Sequence, residues 1–354
     1  MNLSQELIDW YQINKRELPW RSSKNPYIIW LSEIILQQTR VKQGLPYFIA
    51  FQQRFPDVQS LASASQDDVL KLWEGLGYYS RARNMHFAAQ QVINDFKGIF
   101  PSDYQNLIKL KGVGDYTASA IASITNNEEV AVLDGNVFRV LSRILGIQEP
   151  INSPEGIKIF KTQAKDLLPS NNTGTHNQAI MEFGALHCLP KNPKCQSCPF
   201  TAHCFAFQND LQQELPVKLK KTKVKTVYMN YLVFIDNASK TIVQQRQNKG
   251  IWKGLFDFPL IESTETHSQA TIEKHQIFNK IISNCPYSIN LYNQQPKKHL
   301  LTHRKLLAHF WIIEIDDINH IQIESAEVVD ASTIRNKAFP VLLIHFIDKF
   351  FFFT

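Results

Sequence analysis

Through roughly the first 210 residues, apolar side chains return at spacings of three and four. The windows Asp67–Trp73, Ala82–Phe96, Ser102–Leu110, Thr117–Ile124 and Val137–Leu145 therefore predict helices. Gly75, the run Gly98–Pro101 and Gly146 punctuate them. Further on the period becomes that of strands. Val227–Ile235, Thr241–Gln245 and Leu306–Ile315 are rich in β-branched and aromatic residues, while Ser268–Asn284 and Val341–Phe351 predict helices. Between the two regimes, Leu215–Thr226 carries Lys218, Lys220, Lys221, Lys223 and Lys225 after Pro216, which predicts a solvated tether. The pattern implies a mainly α region followed by an α+β domain, with no internal repeat or low-complexity tract.

Composition narrows the class. A chain of 354 residues, 44% hydrophobic and 20% charged, has room for two or three cores and is not that of a disordered protein. Its formal charge of +6 permits a polyanionic partner without demanding one. Glu6, Asp9, Lys15, Arg16 and Glu17 exclude a secretory signal in the first twenty residues. The apolar stretch Phe339–Phe353 is interrupted by Pro340, His345, Asp348 and Lys349, so no membrane span is expected. An intracellular, reducing location follows as the expectation.

In such a location the cysteines imply metal before disulfides. Cys188, Cys195, Cys198 and Cys204 form C-x6-C-x2-C-x5-C, while Cys285 stands apart as a buried or idle thiol. Four thiolates in one loop can enclose tetrahedral zinc or a cubane cluster. The uneven spacing favours [4Fe–4S] over the paired C-x2-C of zinc modules, though the chemistry alone leaves the two close.

Three further stretches carry chemistry. In Leu107–Ala120, Gly112, Val113 and Gly114 make a tight turn before a helix whose unpaired N–H groups suit one DNA phosphate. Asp134 precedes Gly135 and opens a helix; the ordinary role of such an aspartate is a turn or N-cap. Near a sugar C1′, the same carboxylate could stabilise an oxocarbenium-like state. Glu33 follows Ser32, which can cap a helix, and the ordinary reading is a carboxylate opposing the helix dipole.

The cysteine spacing resembles the cluster loop of the endonuclease III superfamily of helix-hairpin-helix glycosylases. The L-x-x-L-x-G-V-G-x-x-T-A block resembles their hairpin. Leu31–Val41 is similar, almost residue for residue, to the catalytic helix of the adenine DNA glycosylase (MutY) family. Arg16–Arg21, Gly75–Asn84 and Asn177–Gly184 extend the likeness. The resemblance implies a multidomain chain: a helix-hairpin-helix core at 22–134, an iron–sulfur domain from 1–21 plus 135–210, a basic linker at 211–226 and an α+β Nudix-like domain at 227–354.

It further implies a [4Fe–4S] cluster on the four cysteines, with Lys191 and Lys194 offered to DNA phosphate. Glu33 would be the general acid at adenine N7, and Asp134, beside Asn136, the group that stabilises the oxocarbenium ion or forms a transient covalent intermediate. Strand-cleaving relatives carry a lysine where this chain has Tyr116, so hydrolysis leaving an abasic site is expected, with Tyr116 orienting Asp134 or bearing on the sugar. Gln38, Thr39 and Tyr78 would contact the DNA, Gln38 and Tyr78 filling or wedging the duplex at the flipped adenine. Arg16, Trp20, Arg21, Leu36 and Glu182 would line the adenine pocket.

Gln244–Pro259 is similar to the opening of a Nudix fold, yet no R-E-x-x-E-E helix follows, so the domain reads as a recognition module for 8-oxoguanine. Thr302 and His303 would contact the oxidised base, with Leu301 where the family has an aromatic ring. The implied partner is duplex DNA with adenine opposite 8-oxoguanine or guanine, bound by a monomer in the cytoplasm or nucleoid. The alternatives are a thymine or oxidised-pyrimidine glycosylase on the same scaffold and a catalytically silent damage binder.

Overall fold

The computed structural model describes residues 2–219, 224–248, 250–283, 285–321, 323 and 326–352. Lys220, Lys221 and Lys223 of the expected tether lie outside these, as does Asn284. Two compact units are present, Met1–Ser63 with Asn84–Lys220, and Ala64–Arg83 with Lys221–Thr354.

The first unit is helical. It contains α1 (Leu3–Asn14), α2 (Pro26–Leu36), α3 (Val41–Arg54), α4 (Val58–Ser63) and most of α6 (Ser80–Asp95). It continues with α7 (Tyr104–Leu107), α8 (Asp115–Asn126), α9 (Gly135–Leu145), α10 (Pro154–Asp166), α11 (Thr173–Leu186) and α12 (Phe205–Gln208). Helix α8 is buried from Thr117 to Ile124, all round its circumference, and so forms an internal strut. Helix α11 packs against α1, α8 and α9. Gly184 allows this: a Cβ there would stand 2.6 Å from that of Asn136 on α9.

Two expectations need correction here. The segment Leu215–Leu219 is no solvated tether, because Leu215 is buried and the Val217 carbonyl accepts from Ile151 N at 3.0 Å. The Ser102–Leu110 helix shrinks to the single turn α7, with Asp103 as its cap.

The second unit is built on an eight-stranded mixed sheet flanked by helices. Its strands are β1 (Lys225–Asp236), β2 (Lys240–Gln245), β3 (Phe256–Asp257), β4 (Leu260–Ser263), β5 (Tyr287–Leu291), β6 (Lys297–Leu300), β7 (Arg304–Ile315) and β8 (Ala326–Asp330). The order is β3-β2-β1-β7-β5, with β4 on β1, β6 on β7 and β8 on β2. Strands β1 and β7 run parallel from Lys225↔Arg304 to Asp236↔Ile315.

Alternation along β7 divides the sheet's two faces. Trp311, Ile313 and Ile315 join Leu232 and Phe234 in a core closed by Ile272, Phe278 and Ile281. These last three come from α13 (Gln269–Glu273) and α14 (Gln276–Ile282), which replace the single expected helix. Phe310 stacks on Phe346 of α15 (Val341–Phe351) at 4.0 Å between ring centroids. Also in this unit are α5 (Gln66–Leu72) and the loop carrying Tyr78.

Candidate active site and recognition pocket

Helix α2 starts earlier than Ser32 suggests. Asn25 caps it, accepting from Tyr27 N at 2.9 Å, with Pro26 in the first turn. Ser32 is buried mid-helix and donates to the Ile29 carbonyl at 2.7 Å, so it is not the cap. Glu33 therefore lies towards the C-terminal end, where the helix dipole disfavours negative charge.

Glu33 lines a cavity of about 50 Å³ with Trp20, Arg21, Ile29, Ile124, Gln178 and Met181. Its Oε2 accepts from the Tyr116 hydroxyl at 2.7 Å. Burial pushes the Glu33 carboxyl up to about 7 against the lowering effect of that bond; the Asp134 charge raises it further and Arg21 lowers it. Burial, and then the charges of Glu33 and Asp134, hold the Tyr116 hydroxyl well above its ordinary value, so it remains a donor. Tyr116 thus hydrogen-bonds Glu33, where orientation of Asp134 or contact with the sugar had been expected of it.

Asp134 is an N-cap. Its Oδ1 accepts from Asn136 N at 2.9 Å and Val137 N at 2.8 Å, and its Oδ2 accepts from the Asn136 side-chain amide at 2.8 Å. Burial nevertheless raises its carboxyl above the ordinary range, the hydrogen bonds and Arg139 opposing. Arg139 extends the connection. It donates to Asn136 Oδ1 at 2.9 Å, to the Gly184 carbonyl at 2.7 Å and to the Cys188 carbonyl at 2.8 Å.

The cysteine loop is organised around a second buried arginine. Arg143 donates to Cys188 Sγ at 3.4 Å and to the Leu189 carbonyl at 2.7 Å, while Cys204 Sγ donates to the Arg143 carbonyl at 3.4 Å. Burial raises the thiols of Cys195, Cys198 and Cys204, and the charges of the neighbouring cysteines add to it. Among the described residues, no group of three or more His, Cys, Asp or Glu is placed to hold a metal ion.

Glu182 is buried, and both its oxygens are taken. Arg16 donates to Oε1 from its backbone N and Nε, at 2.9 Å each, and to Oε2 at 2.6 Å. Arg21 donates to the same two oxygens at 2.8 and 2.7 Å. Burial opposes ionisation of Glu182, yet these bonds outweigh it and hold the carboxyl near 2. Of the five residues expected to line the base pocket, only Trp20 and Arg21 face the cavity. Arg16 and Glu182 anchor Arg21 from behind, and Leu36 packs towards Gly44.

At the hairpin, Gly112 takes φ +80°, and a Cβ there would meet the Asn84 side chain at 2.8 Å. Val113 is buried, and Gly114 caps α8 with open space beside it. Asp115 follows in that helix, an acid badly matched to a phosphate. The sequence reading missed that Lys161 pairs with it at 2.9 Å and Tyr104 donates to it at 2.7 Å. After α2, Gln38 is exposed in the left-handed region (φ 55°), and Thr39 N bonds back to the Leu36 carbonyl at 3.0 Å.

Within the second unit, β6 and β7 form a hairpin in which Leu301 N donates to the Arg304 carbonyl at 2.8 Å. Thr302 and His303 are exposed at its tip. Thr302 Oγ1 lies 3.2 Å from the Tyr78 hydroxyl. These three residues share a pocket of about 470 Å³ with Leu301, Trp252 and His299. The rings of Trp252 and His299 stand 5.8 Å apart; neither was picked out from sequence, because only the folded unit brings the loop before β3 against β6.

Residues 31–161 match the HhH-GPD superfamily of base excision DNA repair proteins, and 230–349 match the NUDIX domain. The chain is 38% identical over 327 residues to the adenine DNA glycosylase of Buchnera aphidicola subsp. Baizongia pistaciae (strain Bp), covering 91% of this chain and 88% of that protein. The chain belongs to the adenine DNA glycosylase family. The corresponding enzyme of Buchnera aphidicola subsp. Schizaphis graminum (strain Sg) is 41% identical over 257 residues, 72% of this chain and 74% of its own. Among solved structures, a thermostable thymine-DNA glycosylase superposes with TM-score 0.54 at 26% identity, over 58% of this chain and 95% of that one.

The protein is therefore an adenine glycosylase of base-excision repair, with a helix-hairpin-helix core and a Nudix-like unit. That choice removes the pyrimidine and silent-binder alternatives. No helix among the described residues is long and apolar enough to cross a membrane. Gln178 and Met181, missed in the sequence, flank the cavity one helical turn apart on α11. Their spacing of three beside Glu182 was the available signal.

Proposed function

We propose that adenine opposite 8-oxoguanine or guanine in duplex DNA is flipped towards the Glu33 cavity and its glycosidic bond hydrolysed, leaving an abasic site. The observation that carries this reading is the Tyr116–Glu33 hydrogen bond within reach of the charge of Asp134, a half-buried N-cap. Glu33, raised to about 7, is protonated over a useful range and supplies a proton to the departing base. Tyr116 holds one of its oxygens, leaving the other for the ligand. Asp134, fixed by Asn136 and Val137, offers negative charge to the oxocarbenium-like sugar or a transient covalent bond to it. A resting volume of about 50 Å³ is too small for a purine, so the site must open as the base enters. Gln38 and Thr39, with the Gly112–Gly114 turn, would meet the duplex, the turn through backbone amides on a phosphate.

Cys188, Cys195, Cys198 and Cys204 would hold a [4Fe–4S] cluster. Cys195, Cys198 and Cys204 each feel the charge of neighbouring cysteines, and Arg143 supplies the positive group that favours thiolate at Cys195 and Cys204. When bound, the cluster would order the loop that carries Lys191 and Lys194.

The pocket of Tyr78, Thr302, His303, Trp252 and His299 would take the partner base, with hydroxyl and imidazole groups for its polar edge and rings for its face. Single-turnover adenine release from duplexes pairing adenine with 8-oxoguanine, guanine or cytosine tests the whole reading. Glu33→Gln and Asp134→Asn should each abolish release while mismatch binding persists; normal turnover by either overturns the assignment. Binding should weaken as salt rises.

A further inference from the structure

The stretch Ala64–Arg83 lies inside the segment matched to the glycosylase superfamily, yet it forms one compact unit with the Nudix-like part of the chain. The bonds that make it so are specific. Gln245 donates to Asp67 Oδ1 at 2.8 Å, Arg83 donates to the Lys253 carbonyl at 2.7 Å, and Tyr79 donates to the Phe339 carbonyl at 3.3 Å.

Glu74 is the centre of this set. Its Oε1 accepts from Phe339 N at 3.0 Å, and its Oε2 meets Arg335 at 3.2 Å and Lys71 at 2.9 Å. Its side chain is 11% exposed, so these bonds are made largely out of water. Arg335 is in turn held by Asp348 of α15 at 3.2 Å. Four residues after Glu74 comes Tyr78, a bulky residue in the left-handed region at φ 50°, a conformation that surrounding contacts must impose. The same side chain is half exposed and reaches Thr302.

We propose that Glu74 is a positioning residue for Tyr78, through which the Phe339 backbone and Arg335 set the loop that flanks the partner-base pocket. Discrimination between mispairs then depends on a carboxylate that touches no DNA. This rests on reading that pocket as the site of the partner base.

The test uses the full chain and single-turnover adenine release opposite 8-oxoguanine and opposite guanine, with thermal melting alongside. Glu74→Ala should lower the ratio of the two rates by roughly three- to tenfold, the scale of coupling between bonded neighbours. Glu74→Gln, which keeps an acceptor for Phe339 N, should restore part of the ratio. Should Glu74→Ala fail to fold, Arg335→Met decides by the same ratio. An unchanged ratio, or two rates that fall equally with the melting temperature, overturns the proposal. Thr302→Val separates the two readings. If it lowers the ratio while Glu74→Ala does not, positioning fails alone. If Glu74→Ala lowers the ratio while Thr302→Val does not, Glu74 sets discrimination but not through this pocket, and the proposal fails with the pocket reading. If neither moves it, both fail.

Discussion

The Tyr116 hydroxyl donates to Glu33 Oε2 at 2.7 Å, and this is the bond through which the helical unit favours the ionised form of an acid that burial holds protonated. Burial alone would push Glu33 higher; the phenol pulls it back, and about 7 is the balance. A tyrosine in place of a lysine thus does more than remove an amine.

A bell-shaped pH profile is expected for single-turnover excision. The alkaline limb falls as pH rises through about 7, where Glu33 loses its proton. The acid limb belongs to Asp134, which must be ionised and whose carboxyl is raised by burial. Tyr116→Phe removes a bond that favours the Glu33 carboxylate, so its alkaline limb should move to higher pH. A limb that stays put or moves down would show that the phenol does not act on Glu33.

Glu33 should also cost stability. Its carboxyl is raised from 4.5 to about 7, so its favourable contribution is present below 4.5 and is lost as pH rises through 7. Glu33→Gln is therefore expected to stabilise the protein by about 1–3 kcal/mol at pH 8 and by little at pH 4, while excision disappears. Urea titrations at the two pH values measure this difference.

At Asp134 two substitutions separate capping from catalysis. Asparagine caps a helix nearly as well as aspartate, whereas alanine forfeits the cap at about 1 kcal/mol. Asp134→Asn should melt close to the parent protein and be inactive. Asp134→Ala should be equally inactive and melt lower, because α9 loses the one oxygen that accepts from both Asn136 N and Val137 N.

Arg139 joins Asn136 Oδ1 to the carbonyls of Gly184 and Cys188. Replacing it with methionine leaves the buried Gly184 carbonyl unpaired, at a cost of roughly 1–3 kcal/mol, along with two half-buried acceptors. Arg139→Met should lose iron during purification and excise adenine more slowly than its melting temperature accounts for, since Asn136 also steadies Asp134. Full iron content with a normal rate would separate the cysteine loop from Asp134.

Much of the molecule was legible along the chain. The cysteine spacing, the hairpin glycines and Glu33, Tyr116 and Asp134 are local patterns that can be picked out along the chain, while their partners and ionisation depend on what surrounds them. The last helix, Val341–Phe351, has the limits its periodicity predicts, because an apolar stripe against a sheet leaves no other solution. The helix that should have begun at Ser32 instead begins at Pro26, as that proline and the Asn25 cap outweigh a serine that tertiary packing buries.

Tertiary structure alone decided the rest. Nothing local reveals that Glu182 spends both oxygens on Arg16 and Arg21, that Tyr116 serves Glu33, or that Tyr78 meets a threonine 224 residues away. Sequence determines which groups can titrate and which segments bury an apolar face, since both follow from residue type and period. Which donor meets which acceptor depends on helices and strands distant in the chain closing around a common core, and there burial shifted the acids and assigned the partners.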